Sequence, residues 1–319
     1  MPVIPVLVLF GPTASGKTGI LKELFTGPRP AFPAEVVSAD SMQVYRGMDI
    51  GTAKPDKALC AVLPHHLIDI RDPDEPFNAG DFVRLADRAC ADIARRGKLP
   101  VVAGGTGFYL RNFIFGLSGA PPSDPSLRRA LKEELAQKGP EALRKELSRT
   151  DGESAERIHI NDTYRLLRAL EVVRSSGSPL SSFAPPEKPR EGYDFRVVEI
   201  KRPREELYRR IELRCGEMFD QGLPAEVEGL FLRGYTPRDP GLRAIGYREF
   251  FVEEAGGAWR LSADLPGVKA LAARNSRRYA KRQLTYFEGL RSIPGSGIIT
   301  VSAEEAPGRI SAELRDHFL

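Results

Sequence analysis

Residues 11–18 read Gly-Pro-Thr-Ala-Ser-Gly-Lys-Thr, a full match to G-x-x-x-x-G-K-[ST], set between the apolar run Val6-Leu7-Val8-Leu9-Phe10 and a helical segment from Thr18 to Phe25. Strand, glycine-rich loop and helix in that order make a phosphate-binding loop. Gly11 and Gly16 let the backbone turn the N–H groups of Thr13, Ala14 and Ser15 inward around a polyphosphate. Lys17 adds a mobile cation, and Thr18 can offer its hydroxyl to a phosphate-bound magnesium ion. The plain alternative is a glycine-rich turn that happens to precede a helix. The motif leaves open which phosphate compound binds and what chemistry follows.

Apolar β-rich runs at 3–10, 35–38, 66–70 and 99–103 alternate with helical patterns at 17–25, 79–96 and 107–115. That alternation predicts an α/β fold, a P-loop NTPase-like parallel sheet flanked by helices. Functional residues in such sheets gather in loops at the C-terminal strand ends: here the phosphate loop, Ser38-Ala39-Asp40-Ser41 and Gly104-Gly105-Thr106-Gly107. From Ser118 to Gly192 the pattern turns to charged helices, with Asp124-Pro125 and Asn161-Asp162 as starts and Gly139-Pro140 and Ser176-Gly177 as breaks. A Pro-rich link, 178–190, then leads to a strand at 195–200, so the sheet resumes after a smaller helical insertion domain suited to move as a lid. The expected organisation is a core in two parts, 1–117 and 193–319, around an insertion at 118–192. In the second part, helices are expected around 203–221, 247–255 and 268–290, followed by a strand at 298–301 and a last helix toward Phe318.

No apolar stretch approaches the roughly 20 residues a membrane-spanning helix needs. The 319-residue chain, 41% apolar, therefore reads as soluble, and no charged leader precedes the first strand. Cys60, Cys90 and Cys215 stand without disulfide or metal spacing, and the four histidines make no zinc pattern. A reducing cytoplasm is the expected location. The adjacent His65-His66 reads as a strand entry with one buried ring. Net charge is only +4, yet Lys269, Arg274, Arg277, Arg278, Lys281, Arg282 and Arg291 face a single acid, Glu288, over 269–291. That basic stretch fits either a solvated helix face or contact with a polyanion larger than a nucleotide.

An ordinary P-loop hydrolase needs an acid at a neighbouring strand end to hold magnesium, but 99–103 runs into Gly-Gly-Thr. Asp40 does end a strand, and reads as a magnesium partner, a general base or a helix N-cap. Thr106 reads as an anion donor or a helix cap. Arg243, in a Gly-bounded segment, suits bidentate phosphate contact or a surface salt bridge. Along 274–287, Arg274, Arg278, Lys281, Arg282 and Thr285 share near-helical spacing, with Tyr279, Tyr286 and Phe287 interleaved, an arrangement suited to an RNA backbone. Tyr286 and Phe287 also fit a core role.

These segments together resemble the bacterial tRNA dimethylallyltransferases, or tRNA isopentenyltransferases, over nearly the whole chain. The resemblance rests on the phosphate loop, on Ala39-Asp40-Ser41 with 44–55 (Val-Tyr-Arg-Gly-Met-Asp-Ile-Gly-Thr-Ala-Lys-Pro), and on Pro64-His65-His66-Leu67-Ile68-Asp69. It continues through Gly104-Gly105-Thr106-Gly107-Phe108-Tyr109, Arg157-Ile158-His159 with Asn161-Asp162, 165–171, Ile245-Gly246-Tyr247-Arg248 and Lys281-Arg282-Gln283. The phosphate loop alone is common, whereas this ordered set is specific.

The resemblance implies transfer of a dimethylallyl group from its diphosphate to the exocyclic N6 of the adenosine 3′-adjacent to the tRNA anticodon. An adenine N6 lone pair is delocalised into the ring and becomes nucleophilic only as its proton leaves. A carboxylate is needed there, and family likeness puts Asp40 in that place. Magnesium on Thr18, Lys17, the loop N–H groups, Thr106 and Arg243 would then neutralise the departing diphosphate. A stacked base must be extruded to reach a buried donor. The likeness assigns RNA contacts to Asp40, Ser41, Met42, Gln43 and Thr106, to Arg128 and Tyr164, Arg165, Leu166, Leu167 and Arg168 of the insertion, and to Arg248, Lys281, Arg282 and Gln283. Implied partners are a tRNA anticodon stem-loop and dimethylallyl diphosphate, with Mg2+ as cofactor, no membrane and a monomer as the default.

Residues 27–34 and 255–267 exceed the family pattern and are expected as surface loops, and Glu288 stands where a basic residue often follows. No Cys/His zinc module of the eukaryotic kind is present, which points to a bacterial-type enzyme. Rival readings are an adenylate isopentenyltransferase acting on free AMP, ADP or ATP, for which the RNA-facing arginines have no purpose, and a P-loop nucleotide kinase, against which the Gly-Gly-Thr strand end argues.

Overall fold

The computed structural model describes residues 3–27, 30 and 32–318. Pro28, Arg29 and Ala31 of the 27–34 extension lie outside the described residues. The described residues form two compact units, one up to Ile114 and again from Lys188 onward, the other Phe115–Glu187.

In the larger unit, β1 (Ile4–Phe10) leads through the glycine-rich loop into α1 (Lys17–Thr26), followed by β2 (Ala34–Ala39), α2 (Lys57–Val62), β3 (His65–His66), α3 (Ala79–Arg95), β4 (Leu99–Gly104) and α4 (Gly107–Phe115). Val6 to Phe10 are all fully buried, as strands covered on both faces must be. Each such large side chain contributes about 1.5–3 kcal/mol on burial. The helix α3 is closed by a capping box, Asn78 accepting from Gly80 and Asp81 while Asp81 reaches back.

Within the Phe115–Glu187 unit lie α5 (Pro125–Thr150), α6 (Gly152–Arg157) and α7 (Thr163–Ser176). Asp124, Asp151 and Asp162 cap their N-termini, and Gly177 ends α7 at φ 71. A kink in α5 falls at Gly139, φ 76, just before Pro140. Leu131, Leu143, Leu147, Leu166, Leu167 and Leu170 form this unit's core. Leu166 and Leu167, expected at RNA, are only 2% and 3% exposed and pack inward instead. The helical period that carries Tyr164 and Arg165 outward turns the two following leucines in.

The larger unit resumes with β5 (Tyr193–Lys201), α8 (Arg204–Asp220), α9 (Leu223–Leu232), β6 (Phe251–Glu253), β7 (Trp259–Leu261), α10 (Leu265–Arg291), β8 (Ile298–Ser302) and α11 (Ala306–Phe318). The sheet runs β3-β2-β4-β1-β5-β8 with every pair parallel.

Three sequence expectations need correction. The helix expected at 247–255 is a short 3-10 turn, Arg248–Phe250, followed by the β6–β7 hairpin. Phe250 and Phe251 both face the core, and Gly256 and Gly257, at φ 90 and 81, make the turn. The 255–267 extension accordingly supplies β7 and the first turn of α10 instead of a bare surface loop. The strand expected at 66–70 stops at His66, because Leu67 and Asp69 take φ 63 and 56 and leave the extended region.

What positions the site is a shared level. Phe10 and Ala39, the last residues of β1 and β2, both stand beside Gly104, the last of β4. A Cβ at Gly104 would lie 2.2 Å from the Ala39 carbonyl oxygen, so only glycine lets these strand ends approach so closely. Three loops, 11–18, 40–43 and 105–106, thus leave the sheet side by side.

Candidate active site

The glycine-rich loop is braced from outside. Gly16 takes φ 98 and Ala14 φ 62, conformations that turn successive N–H groups inward. Arg202 Nε donates to the Ser15 carbonyl (2.8 Å) and Arg210 Nε to the Ala14 carbonyl (2.9 Å), so the outward carbonyls are satisfied. Arg214 Nη1 reaches Thr13 Oγ1 at 3.2 Å. Lys17 Nζ folds over the loop, donating to the carbonyls of Gly11 (2.9 Å) and Pro12 (3.0 Å) and to Ser15 Oγ (3.4 Å). Burial lowers its pKa to about 8 against the opposing pull of Asp40. The Thr18 residue is exposed on the cavity side at the first turn of α1.

Asp40 leaves β2 into a self-capped turn. Its Oδ1 accepts from the N–H groups of Met42 (2.8 Å) and Gln43 (3.3 Å), while Oδ2 makes no hydrogen bond among the described residues. One oxygen fixes the carboxylate and the other is available. Thr106 Oγ1 accepts the Ser41 N–H at 3.0 Å, tying the two strand-end loops together at the start of α4. Tyr279 of α10 stands beside Thr106 and Gln283, its hydroxyl pushed up to about 12 by burial and by Asp40.

Two cavities meet here. One, about 530 Å³, is lined by the phosphate loop, Lys17, Thr18 and Arg210. The other, about 330 Å³, is lined by Met42, Met218, Phe219, Leu223 and Ile245, with Arg243, Arg248 and Arg282 among its polar groups. Thr13, Asp40, Thr52, Arg214 and Tyr279 line both. A cationic phosphate cleft therefore adjoins an apolar chamber of a size for a heterocycle, with a carboxylate between them.

Comparison with known proteins decides the family. A family model described as IPP transferase matches residues 43–290. The chain belongs to the IPP transferase family. It is 47% identical over 289 residues to tRNA dimethylallyltransferase 2 of Geotalea uraniireducens, 89% of each chain, and 45% identical over 282 residues to the tRNA dimethylallyltransferase of Geobacter sulfurreducens, 88% of each. Among solved structures it resembles a tRNA isopentenylpyrophosphate transferase from Bacillus halodurans at 34% identity and TM-score 0.63, covering 98% of this chain and 96% of that one. It also resembles a eukaryotic dimethylallyltransferase described as acting on tRNA, at 25% identity and TM-score 0.79, covering 99% and 79%.

In this IPP transferase the phosphate-loop residues, Asp40, Ser41, Met42 and Thr106 come together as expected from sequence, but Arg243 does not join them. Its guanidinium donates to the carbonyls of Pro237 (3.2 Å) and Arg238 (2.5 Å) and faces the apolar chamber. The guanidinium that reaches a loop side chain is that of Arg214, at Thr13, which sequence reasoning missed. Its signal was the four-residue spacing of Arg210 and Arg214 on one face of α8, hidden in an ordinary charged helix. Gln283, expected at RNA, is buried: its Oε1 accepts from the Thr13 N–H (2.9 Å) and its Nε2 donates to the Gly105 carbonyl (2.7 Å). Both ends of its amide are spent bracing two strand-end loops. Gln43 is similarly committed, accepting from Ser38 Oγ and donating to the carbonyls of Thr52 and Ala53. Arg248, Lys281 and Arg282 are exposed.

In the helical unit, Arg128 lies over the ring of the exposed Tyr164 at 4.8 Å, and Arg165 is exposed. Arg128 and Arg168 also converge on Glu171, a fully buried carboxylate that accepts from Ser123 Oγ (2.5 Å), the Asp124 N–H (2.8 Å) and both guanidinium groups (3.4 and 3.1 Å). Removing this charge strands two arginines near the unit's interior. Glu171→Gln is expected to cost about 3 kcal/mol in chemical denaturation; a loss under about 0.5 kcal/mol would place the cluster among ordinary surface ion pairs.

Proposed function

We propose that this chain is a tRNA dimethylallyltransferase, which transfers the dimethylallyl group of dimethylallyl diphosphate to N6 of the adenosine 3′-adjacent to the anticodon and releases diphosphate. The observation that carries the reading is the position of Asp40, one carboxylate oxygen fixed by its own turn and one free, between the phosphate cleft and the apolar chamber. A P-loop kinase has no use for a base at that wall, and a free-nucleotide prenyltransferase has none for the exposed Arg128–Tyr164 stack.

The diphosphate lies on the loop N–H groups of Ala14 and Gly16, that of Thr13 being held by Gln283, with Lys17 and Arg214 on its oxygens. Lys17 gives up its contacts to the loop carbonyls for the stronger, charge-assisted ones. Among the described residues no cluster of three or more His, Cys, Asp or Glu could hold a metal by itself. The exposed Thr18 would hold a magnesium ion by its hydroxyl. Such an ion would supply further neutralisation of the leaving group. The flipped adenine enters the apolar chamber, with Arg243, Arg248 and Arg282 toward its backbone phosphates. As N6 bonds to the methylene carbon, the carbon–oxygen bond breaks, its electron pair leaves with the diphosphate, and the N6 proton passes to Asp40 Oδ2. Thr106 acts by holding the Ser41 peptide.

The experiment is transfer of radiolabelled dimethylallyl diphosphate, with magnesium, to an anticodon stem-loop beside AMP, ADP and ATP. Label on the stem-loop alone supports the reading; label on free nucleotide moves the activity to cytokinin-type synthesis.

The lowered pKa of Lys17 gives donor binding a pH dependence. Below pH 8 the free protein already carries the charge, so binding needs no proton. Above pH 8 it is neutral, and an anion that requires the cation must bind together with a proton. Donor affinity is expected to weaken as pH rises past 8, approaching about tenfold per unit. Calorimetry between pH 7 and 9.5 checks this, with Lys17→Arg expected to flatten the profile.

A further inference from the structure

Two motifs, Gly51-Thr52-Ala53-Lys54-Pro55, whose Thr52 lines both cavities, and Pro64-His65-His66-Leu67-Ile68-Asp69, meet behind the Asp40 turn. Lys54 donates to Asp69 Oδ1 (2.5 Å), Asp49 Oδ1 (2.7 Å) and the Tyr45 carbonyl (2.6 Å). Its side chain is 5% exposed, so a cation withdrawn from water has one acceptor for each of its three protons.

The surrounding backbone is strained. Among the described residues four non-glycines have positive φ, and three of them flank this bridge: Ala53 (49), Leu67 (63) and Asp69 (56). Such conformations persist only where neighbouring contacts over-determine them. The same peptides grip the turn. The Asp69 N–H donates to the Gln43 carbonyl (3.2 Å), and the Gln43 side chain donates to the carbonyls of Thr52 (3.3 Å) and Ala53 (3.2 Å). Gln43 in turn gives its N–H to Asp40 Oδ1 (3.3 Å). A continuous path of contacts runs from the Lys54 ammonium through Asp69 and Gln43 to the carboxylate.

We propose that Lys54 is a positioning residue for Asp40: by holding Asp69 and the Tyr45 carbonyl, it keeps the 40–43 turn in the one geometry that aims the free carboxylate oxygen at the acceptor. The inference rests on the reading of Asp40 as the base. Lys54 touches neither substrate, so its loss acts on turnover and leaves binding nearly intact.

The test is a double-mutant cycle with the full chain, reading transfer to the stem-loop at steady state and, for slow variants, with enzyme in excess. Lys54→Met is expected to lower kcat about tenfold or more, with KM for donor and stem-loop within about threefold. Lys54→Arg, which reaches the same acceptors, recovers part of the loss. On an Asp40→Asn background the Lys54→Met change is expected to make less than about twofold difference, because its effect passes through the group already removed. An unchanged kcat in Lys54→Met, or the same fold-loss with and without Asp40, overturns the proposal. If Lys54→Met melts below the assay temperature, Asp69→Asn carries the same expectations, since it weakens the bridge and keeps the shape. Full activity of Asp40→Asn alone overturns the base assignment, and this proposal with it.

Discussion

Asp40→Asn is expected to reduce turnover about 10²–10⁴-fold while changing stem-loop affinity by no more than a few-fold. An asparagine oxygen can still accept from Met42 and Gln43, so the turn survives. What disappears is the one carboxylate that, among the described residues, lines both cavities and is proposed to take the N6 proton. Without it the nucleophile must attack while still protonated, and the developing positive charge sits close to Lys17 and Arg214, where it is repelled. Single-turnover transfer and filter binding on the same preparation separate the two effects. Turnover within threefold of the wild type would remove Asp40 from the chemistry.

Arg214→Ala carries the second large effect. This guanidinium is enclosed enough for burial to push its pKa down, with Asp40 pulling the other way, and it hydrogen-bonds Thr13 on the phosphate loop. A desolvated cation is worth most where negative charge grows, which is on the oxygens of the leaving diphosphate. A fall in kcat/KM for the donor of about 10²-fold or more is expected. Lysine at this position recovers little, because it lacks the planar fork. Arg243→Ala, by contrast, is expected to leave the donor KM within about threefold and to act on the stem-loop, since its guanidinium is tied to carbonyls beside the other chamber. Equal donor effects from both substitutions would reverse this assignment.

Much of the fold and part of the site were legible in the chain. The phosphate loop, the strands on either side of it and the caps at Asp124 and Asp162 are local matters: periodicity, glycine placement and a short polar side chain decide them. Asp40 and Thr106 were legible for a related reason, because parallel sheets collect their chemistry at strand ends. What stayed hidden depends on which side chain a neighbour needs. Nothing in Lys-Arg-Gln says that the glutamine turns inward to bridge Thr13 and Gly105 while Lys281 and Arg282 stay in solvent. Arg214 looked like any surface charge on α8, yet its guanidinium is the one that reaches Thr13, while that of Arg243 is held by the carbonyls of Pro237 and Arg238. The hairpin at 251–261 was missed because a short apolar run fits a helix and a strand equally well, and only burial of Phe250 and Phe251 decides.

The close passage of Gly104 against Ala39 has a consequence for how such a chain can change. Because the ends of β2 and β4 touch backbone to backbone, the sheet's interior and the aim of its strand-end loops are mechanically one object. A substitution that swells the strands' far ends can be absorbed by loosening the core there. At Gly104 it must move Asp40 or Thr106 instead, so drift that the fold would survive is still visible to selection through the rate of the reaction.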